Sequence, residues 1–299
     1  MSAFINEIEI ARILERNQKP DPAKVRVVLN KAKEMKGLDL DDVAVLSNIK
    51  DPMQLFELFE EANLIKEKIY GKRLVIFAPL YISNLCANEC SYCAFRAKNK
   101  SIIRRSLNQD EIKHEAEILV SQGHKRILMV AGESYPQQGF QYVIDSIASI
   151  YEAKVGNGEI RRVNVNIAPL DLPEFKRLKE AKIGTFQLFQ ETYHRQIYHE
   201  VHTGGKKADY DYRVTALHRA MEAGIDDVGI GVLFGLADFR FELLALMQHI
   251  QELERAFGVG PHTISVPRIE PATGSDISSH PPHAVSVSYT HLRAHETHH

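Results

Sequence analysis

The residues of this chain that are best suited to chemistry are its three cysteines, which all lie in the segment Cys86-Ala-Asn-Glu-Cys90-Ser-Tyr-Cys93. Three thiolates at this spacing can ligate one small inorganic centre. Iron–sulfur clusters are normally held by four thiolates, so a set of three indicates a [4Fe–4S] cluster with one iron left for a ligand from outside the protein. An open metal position is typical of a catalytic site.

Three other interpretations of the cysteines stay open at this point. A structural zinc site needs four ligands, and no histidine follows Cys93 at zinc-finger spacing. A disulfide would leave one thiol unpaired, and the cytosol keeps thiols reduced. Buried, inert cysteines would be expected to scatter along the chain rather than to fall in one short segment. We therefore expect Cys86, Cys90 and Cys93 to bind the cluster.

The composition is that of a globular enzyme rather than of a nucleic-acid-binding protein. Lys and Arg number 37 and Asp and Glu 39, which gives a net charge of −2 and no field that would attract nucleic acid or an anionic membrane. Hydrophobic residues make up 44% of the chain, enough for a substantial core. The sequence has neither an apolar run of about 20 residues nor the pattern of a signal peptide. We expect a cytoplasmic protein with no nucleic-acid or membrane partner.

The chain divides into two patterns that position these residues. Residues 1–73 indicate an N-terminal helical extension, and residues 74–286 show short apolar runs that alternate with amphipathic segments. That alternation predicts an α/β fold with βα units and a parallel sheet. The predicted helix boundaries in the extension are Asp21-Pro22 and Asp51-Pro52 at the N-terminal ends, and Gly37 and Gly71 at the C-terminal ends.

Six strands are expected after residue 73, each buried on both faces. The clearest connecting helix runs from about Gln109 to Gln122, with Asn108 and Glu111 as a capping box and Gly123 after its end. Right-handed connections would curl the units into a partial (β/α)6 barrel of the TIM type. The predicted strands are 74–82, 126–131, 162–167, 185–189, 228–234 and 263–267.

Functional residues of such barrels lie at the C-terminal ends of the strands. Because the cysteine segment follows the first predicted strand, the segments that follow the other strands should meet it on one face of the barrel. Most of these segments carry polar residues. They are 86–93, 132–133, 169–171, 190–194, 235–238 and 268–270.

The spacing Cys-x-x-x-Cys-x-aromatic-Cys on a first βα loop, with Tyr92 at the aromatic position, resembles the signature of the radical S-adenosylmethionine (SAM) enzymes. Longer segments resemble the tyrosine-cleaving branch of that family, and most of all the lyases of [FeFe]-hydrogenase maturation. The resemblance covers roughly residues 1–286. The segments that carry it are 84–96, 130–136, 156–169, 189–194, 229–236 and 264–271.

The resemblance implies a reaction. In the family, the fourth iron of the cluster binds the amino nitrogen and carboxylate of SAM, and one electron, from a donor such as a ferredoxin or a flavodoxin, cleaves SAM to methionine and a 5′-deoxyadenosyl radical. The radical takes a hydrogen from L-tyrosine, and the Cα–Cβ bond breaks to give p-cresol and dehydroglycine. In hydrogenase maturation, where other maturation proteins are possible partners, dehydroglycine is converted to carbon monoxide and cyanide at a second cluster in a C-terminal domain.

Several further residues acquire roles from the resemblance. Glu133 matches the last position of the Gly-Gly-Glu pattern that binds the SAM ammonium group, although a carboxylate there could also cap the following segment. Gly132 would let the backbone approach the ligand. Glu191 and Arg213 are candidates for contacts with the ribose, amine or carboxylate of SAM, and a surface ion pair is the alternative for Arg213.

Further predictions concern residues near the last predicted strands. Arg268 is the candidate catalytic residue facing tyrosine or SAM, with an ion pair to Glu270 or Asp238 as the competing role. His262, before the sixth strand, should lie at the opposite end of the barrel and is kept out of the catalytic set.

The glycines 229, 231 and 235 favour close packing against adenine or the barrel interior. Residues 204–207, Gly-Gly-Lys-Lys, lack the spacing of a phosphate loop.

The sequence also departs from the family. It contains no second cysteine cluster, and six strands are predicted where the family closes a barrel of eight, so these residues alone should make neither carbon monoxide nor cyanide. Residues 288–297 resemble translated sequencing-adapter sequence, and we expect 287–299 to be a non-native tail whose histidines bind no metal. The competing hypotheses are 2-iminoacetate synthase of thiamine biosynthesis and a non-catalytic metal-binding protein.

Overall fold

A single parallel sheet organises the protein, for which a computed structural model describes residues 4–283. Six of its strands pair in the order β1-β3-β6-β7-β9-β10, and every neighbouring pair is parallel. The strands are β1 Ala78–Ser83, β2 Glu89–Cys90, β3 Arg126–Ala131, β4 Lys154–Val155, β5 Gly158–Glu159, β6 Arg162–Asn166, β7 Phe186–Glu191, β8 His202–Gly204, β9 Val228–Val232 and β10 Thr263–Ser265.

Helices fill most of the chain between these strands. A short 3-10 helix at Lys206–Ala208 follows β8. The α-helices are α1 Glu7–Arg16, α2 Pro22–Lys33, α3 Leu40–Ser47, α4 Pro52–Tyr70, α5 Gln109–Ser121, α6 Phe140–Glu152, α7 Leu172–Glu180, α8 Arg195–Val201, α9 Tyr210–Val214, α10 Ala216–Glu222, α11 Phe239–Phe257 and α12 Asp276–Ser279.

The hydrophobic core lies between the sheet and the helices that cover its outer face. Alternate residues of the strands point into this core, such as Val163 and Val165 of β6 and Phe186 of β7, all 0% exposed. Phe186 packs edge to face on Phe175 of α7, with ring centroids 4.9 Å apart. The other residues of the strands line the concave inner face. This arrangement is a partial (β/α)6 barrel, and the predicted fold class is confirmed.

Two details of the strand prediction are wrong. Burial on both faces holds for β9, whereas the inner-face residues of β3, β6 and β7 are half-buried, because the six-stranded sheet leaves its concave side open. The first strand begins at Ala78 rather than at Leu74, and the side chains of Leu74 to Phe77 are exposed. The pairing explains this, since Ala78 is opposite Ile127 near the start of β3 and no described strand lies beside residues 74–77.

The helix boundaries mostly follow the sequence. Asp21 and Asp51 cap α2 and α4, each with proline at the first helical position, and Gly71 ends α4 at a φ of 62°. The predicted capping box of Asn108 and Glu111 is present on α5. Gly37 does not end a helix, because α2 stops at Lys33, four residues earlier.

The N-terminal helices are attached to the barrel unequally. Ile10 and Ile13 of α1 and Ala44 of α3 belong to the main hydrophobic core, and the Asn6 backbone N–H donates to Gln248 of α11 at 2.8 Å. Helix α4 has no buried residue. The boundary at residue 73 stays a prediction, and the predicted non-native tail, 287–299, lies outside the described residues. Within residues 4–283 no helix is long and apolar enough to cross a membrane.

Candidate active site

The cysteine segment forms a loop that is tied to the connection between β7 and β9. Strand β2, which contains Cys90, pairs with β8 in an antiparallel ladder that places Cys90 opposite His202. The Ser91 N–H donates to the Val201 carbonyl at 2.9 Å, just before this ladder. Two segments more than 100 residues apart in the chain are therefore held together by backbone hydrogen bonds.

The three thiols are free and differ in their exposure. Cys90 is buried, whereas Cys86 and Cys93 are half-buried. Burial raises the pKa of Cys90 to about 12. Within residues 4–283 no group of three Cys, His, Asp or Glu side chains is arranged so that it could hold a metal ion. A [4Fe–4S] cluster needs thiolates that each bind a different iron, so three thiols on one loop match its ligand chemistry better than that of zinc.

Tyr92, the aromatic residue of the motif, is fixed by a histidine. Its hydroxyl lies 2.8 Å from His202 Nε2, and His202 Nδ1 lies 2.9 Å from the Tyr198 carbonyl oxygen. A carbonyl can only accept, so Nδ1 carries the proton and Nε2 accepts from Tyr92. Burial, reinforced by the charges of Lys207 and Arg213, lowers the pKa of His202 to about 2 and keeps the ring neutral.

Glu133 lies at the centre of a buried charge network at the C-terminal ends of the strands. Its Oε1 accepts from Arg213 Nη1 at 2.9 Å, and its Oε2 accepts from Asn88 Nδ2 at 2.7 Å. Asn88 is part of the cysteine loop, between Cys86 and Cys90. Glu133 is therefore joined directly to the loop that carries the thiols.

Glu191 and Lys207 complete the network. Lys207 Nζ donates to Glu191 at 2.7 Å and lies 3.9 Å from Glu133, and Arg213 Nη2 lies 3.8 Å from Glu191. Glu191 has a φ of 71°, an unusual value for a residue with a side chain, at a bulge in the pairing of β7 with β9. Such conformations are found where a side chain must be aimed at a site.

The charges in this network support one another. Burial alone would raise the pKa of Glu133, but Arg213 and Lys207 hold it below its usual value. Burial alone would lower the pKa of Arg213, but Glu133 and Glu191 raise it. The ionised forms of Glu133, Lys207 and Arg213 are thus stabilised in surroundings where an unpaired charge would be costly.

The structure brings most of the predicted site residues together. Gly132 packs against the cysteine loop, where an added Cβ would lie 2.2 Å from the Leu85 carbonyl oxygen. Arg268 lies outside the network and pairs with Glu270 at 3.1 Å, which is the competing role foreseen for it. The roles of Tyr92, Gly132, Glu133, Glu191, Arg213 and Arg268 toward a cofactor or a substrate stay predictions.

Packing explains two of the three glycines in and after β9, Gly229 and Gly231. A Cβ on Gly229 would lie 2.6 Å from Gln187, and one on Gly231 would lie 2.2 Å from Phe189. These neighbours are inner-face side chains of β7, so the glycines are needed for packing in the barrel interior. His262 lies at the opposite, N-terminal end of the sheet, beside Thr185 and Gln187 in a cavity of about 310 Å³.

Three residues that matter to the site were not found from the sequence. Lys207 and Asn88 belong to the network above, and a third residue, Glu242 of α11, supports it from behind. Glu242 accepts from the Thr192 hydroxyl and from the Tyr193 N–H, the latter at 2.8 Å, directly after Glu191. Burial raises the pKa of Glu242 to about 7. All three are polar or charged residues at buried positions, and the burial of a single residue is not visible in one sequence.

Comparisons with known proteins identify the family of the chain. Residues 80–249 match the model of the Radical SAM superfamily. A solved structure of HydG, a maturase of the [FeFe]-hydrogenase, is 49% identical with a TM-score of 0.92, over 95% of this chain and 62% of that chain. HydG from Carboxydothermus hydrogenoformans is 43% identical with a TM-score of 0.83, over 90% of this chain and 62% of that chain.

A curated relative extends the comparison to a second enzyme. The 2-iminoacetate synthase of Escherichia coli (strain K12) is 30% identical over 238 residues, which cover 79% of this chain and 61% of that protein. The chain thus spans about three fifths of the length of these relatives. The three-cysteine loop, the parallel sheet that carries it and the match over residues 80–249 lead to one conclusion: the chain belongs to the radical SAM superfamily.

Proposed function

We propose that this protein is a radical SAM tyrosine lyase that cleaves the Cα–Cβ bond of L-tyrosine to p-cresol and dehydroglycine, in the maturation of [FeFe]-hydrogenase. The observation that carries the proposal is the direct link from the cysteine loop through Asn88 to Glu133, in a chain 49% identical to HydG. The reductant would be a ferredoxin or a flavodoxin, and other maturation proteins would be partners. We place the reaction in the cytoplasm, where thiols stay reduced.

The residues of the site have complementary charges for SAM. Cys86, Cys90 and Cys93 would hold a [4Fe–4S] cluster, which when bound supplies the electron that cleaves SAM to the 5′-deoxyadenosyl radical. Glu133 provides a carboxylate for the SAM ammonium group, and Arg213 provides a planar donor for its carboxylate. Both groups are charged, because the opposite charge of the partner in their ion pair stabilises each of them.

The test begins with anaerobic reconstitution of the protein with iron and sulfide. Electron paramagnetic resonance (EPR) of the reduced protein is recorded with and without SAM, and 5′-deoxyadenosine and p-cresol are assayed with L-tyrosine. We expect a [4Fe–4S] signal that changes with SAM, and both products. A cluster that ignores SAM, with neither product, would instead support the non-catalytic metal-binding protein.

The second candidate function is 2-iminoacetate synthase of thiamine biosynthesis, which the 30% identity to the Escherichia coli enzyme favours. It carries out the same cleavage, so p-cresol does not separate the two. Carbon monoxide and cyanide would, since the maturation enzymes form both at a second cluster. A form of the protein that holds a second cluster and still yields neither product from tyrosine would support the synthase.

A further inference from the structure

Lys207 is a buried lysine in a loop. The segment from β8 through the short helix at Lys206–Ala208 crosses the cysteine loop, and within it Lys207 is 8% exposed whereas its neighbour Lys206 is exposed. A lysine ammonium group is strongly hydrated, and burying it is unfavourable unless partners replace the water. A buried lysine next to an exposed one therefore points to a specific role for the first.

The partners of Lys207 are the two acidic residues of the site and the aromatic ring of the cysteine motif. Its Nζ lies 2.7 Å from Glu191, 3.9 Å from Glu133 and 5.8 Å from the centre of the Tyr92 ring. Arg213 pairs with Glu133 at 2.9 Å. Two carboxylates and two cations thus balance, and loss of Lys207 alone would leave one negative charge in excess.

The backbone holds Lys207 in this position. Its N–H donates to Asn88 Oδ1 at 3.0 Å, and its carbonyl accepts from the Tyr198 hydroxyl. Gly205, two residues earlier, has a φ of 80°, and a Cβ there would lie 2.3 Å from Asn88 Oδ1. The ammonium group is therefore fixed relative to the cysteine loop, because Asn88 belongs to that loop.

Lys207 lies beside the segment that carries the sulfur ligands. Tyr92, whose ring centre is 5.8 Å from Lys207 Nζ, directly precedes Cys93 in the chain, and Asn88, which accepts from the Lys207 N–H, lies two residues before Cys90. The ammonium group is therefore close to the place that a cluster on these cysteines would occupy.

We propose that Lys207 tunes the cluster electrostatically: its fixed, buried positive charge stabilises the reduced, more negative state of the cluster and raises its midpoint potential. The inference rests on the proposed function only for the presence of the cluster. A charge held in poorly solvated surroundings acts strongly on a neighbouring charge. Lys207 is a positioning and tuning residue here, since it touches the two carboxylates and Tyr92 rather than the reacting atoms.

The test is a redox titration of the reconstituted [4Fe–4S] protein without SAM, followed by EPR. For Lys207→Met we expect the ratio of reduced to oxidised cluster at the wild-type midpoint to fall about tenfold, equivalent to about 59 mV for a one-electron couple. Lys207→Arg should keep the wild-type value. Lys206→Met is the matched control, because it removes an exposed charge one residue away, and should also titrate like the wild type.

Glu191→Gln should shift the midpoint potential in the opposite direction to Lys207→Met. It removes a negative charge at 2.7 Å from the same ammonium group, so its midpoint should rise. Damage to the loop would not produce opposite shifts in the two variants. If Lys207→Met fails to fold, Lys207→Gln replaces it.

Several outcomes would overturn the inference. One is a fully loaded Lys207→Met protein with the wild-type midpoint, and another is a Glu191→Gln midpoint that falls. A wild-type protein that assembles no cluster overturns both this inference and the proposed function. A wild-type cluster that titrates as expected but yields no p-cresol would overturn the proposed lyase and leave the tuning by Lys207 supported.

Discussion

The two ends of the parallel sheet are built differently. At the C-terminal end, Glu133 and Arg213 form an ion pair whose side chains are 14% and 3% exposed. At the N-terminal end, Arg162 and Asp227 form an ion pair whose side chains are 34% and 24% exposed, next to the exposed apolar segment 74–77. The ion pair at the N-terminal end is thus partly exposed to solvent, whereas the charges at the C-terminal end are largely buried. Buried charges are costly, so their concentration at one end marks the functional end.

The largest difference between the ends should appear on removal of a thiol. In Cys90→Ala the cluster loses one of its three protein ligands, and we expect loss of the [4Fe–4S] signal and of SAM cleavage. Iron and sulfide analysis after anaerobic reconstitution measures this directly. Ile76→Ser, at an exposed site near the N-terminal end, should bind the same amount of iron as the wild type. Full iron content in Cys90→Ala would contradict the assignment of the ligands.

The two ion pairs allow a matched test of stability. Glu133→Gln leaves Arg213 buried with Glu191 3.8 Å away as its remaining carboxylate, and should lower the free energy of unfolding by about 3 kcal/mol. Asp227→Asn breaks a more exposed pair and should cost about 1 kcal/mol or less. Denaturant unfolding of the cluster-free, reduced proteins gives both values. Equal losses would mean that the two ends do not differ in this respect.

Helix α11 spans both ends and carries an acidic residue at each. Glu242, at the C-terminal end, is 0% exposed with a pKa raised by burial from 4.5 to about 7. Glu254, near the N-terminal end, is exposed. The folded state binds the proton of Glu242 more tightly than the unfolded state does. Its destabilising effect is therefore absent below about pH 4.5, grows as the pH rises to about 7, and is then constant at roughly 3 kcal/mol.

The pH dependence of Glu242 can be isolated by mutation. Relative to the wild type, Glu242→Gln should become more stable as the pH rises from 5 to 8, because the amide carries no charge to bury. Glu254→Gln, at an exposed position on the same helix, is the control variant. Thermal unfolding at several pH values measures both. A constant difference between wild type and Glu242→Gln across this range would show that Glu242 is not held protonated by burial.

The sequence predicts the secondary structure of the protein better than its long-range side-chain contacts. The positions of β3, β6, β7, β9 and β10 follow from short apolar runs between helices, because the hydrophobic pattern is local. Residues 74–77 have the same pattern but lie beside no described strand, so pattern alone placed β1 too early. The cysteine loop, Glu133, Glu191 and Arg213 came from motif resemblance and strand ends, and the structure places them together.

The missed contacts are those that join distant parts of the chain. Asn88 and Lys207 are 119 positions apart, and Thr192 and Glu242 are 50 apart. No local spacing encodes such a pair. The sequence Gly-Gly-Lys-Lys at 204–207 lacks the spacing of a phosphate loop, and only the folded chain shows that its second lysine is buried beside Glu191.

One glycine at each end of the sheet, Gly132 and Gly260, allows a comparison of how closely the two ends are packed. A Cβ on Gly132 would lie 2.2 Å from the Leu85 carbonyl oxygen, and one on Gly260 would lie 2.9 Å from the Glu254 carboxylate. Backbone atoms of the cysteine loop cannot move aside without moving the loop, whereas the end of a glutamate side chain can rotate. Gly132→Ala should therefore destabilise the protein by about 2 kcal/mol, and Gly260→Ala by about 0.5 kcal/mol or less.

The same pair of variants separates a packing role for Gly132 from a role in cofactor binding. If Gly132 only allows the cysteine loop to approach β3, Gly132→Ala should lower stability and the yield of cluster together, because the added methyl group displaces the loop. If the glycine is needed for the backbone to approach SAM, the variant should keep its cluster and stability and lose the SAM-dependent change in the EPR signal. We expect the first result, because the added Cβ would lie inside van der Waals distance of the Leu85 carbonyl oxygen.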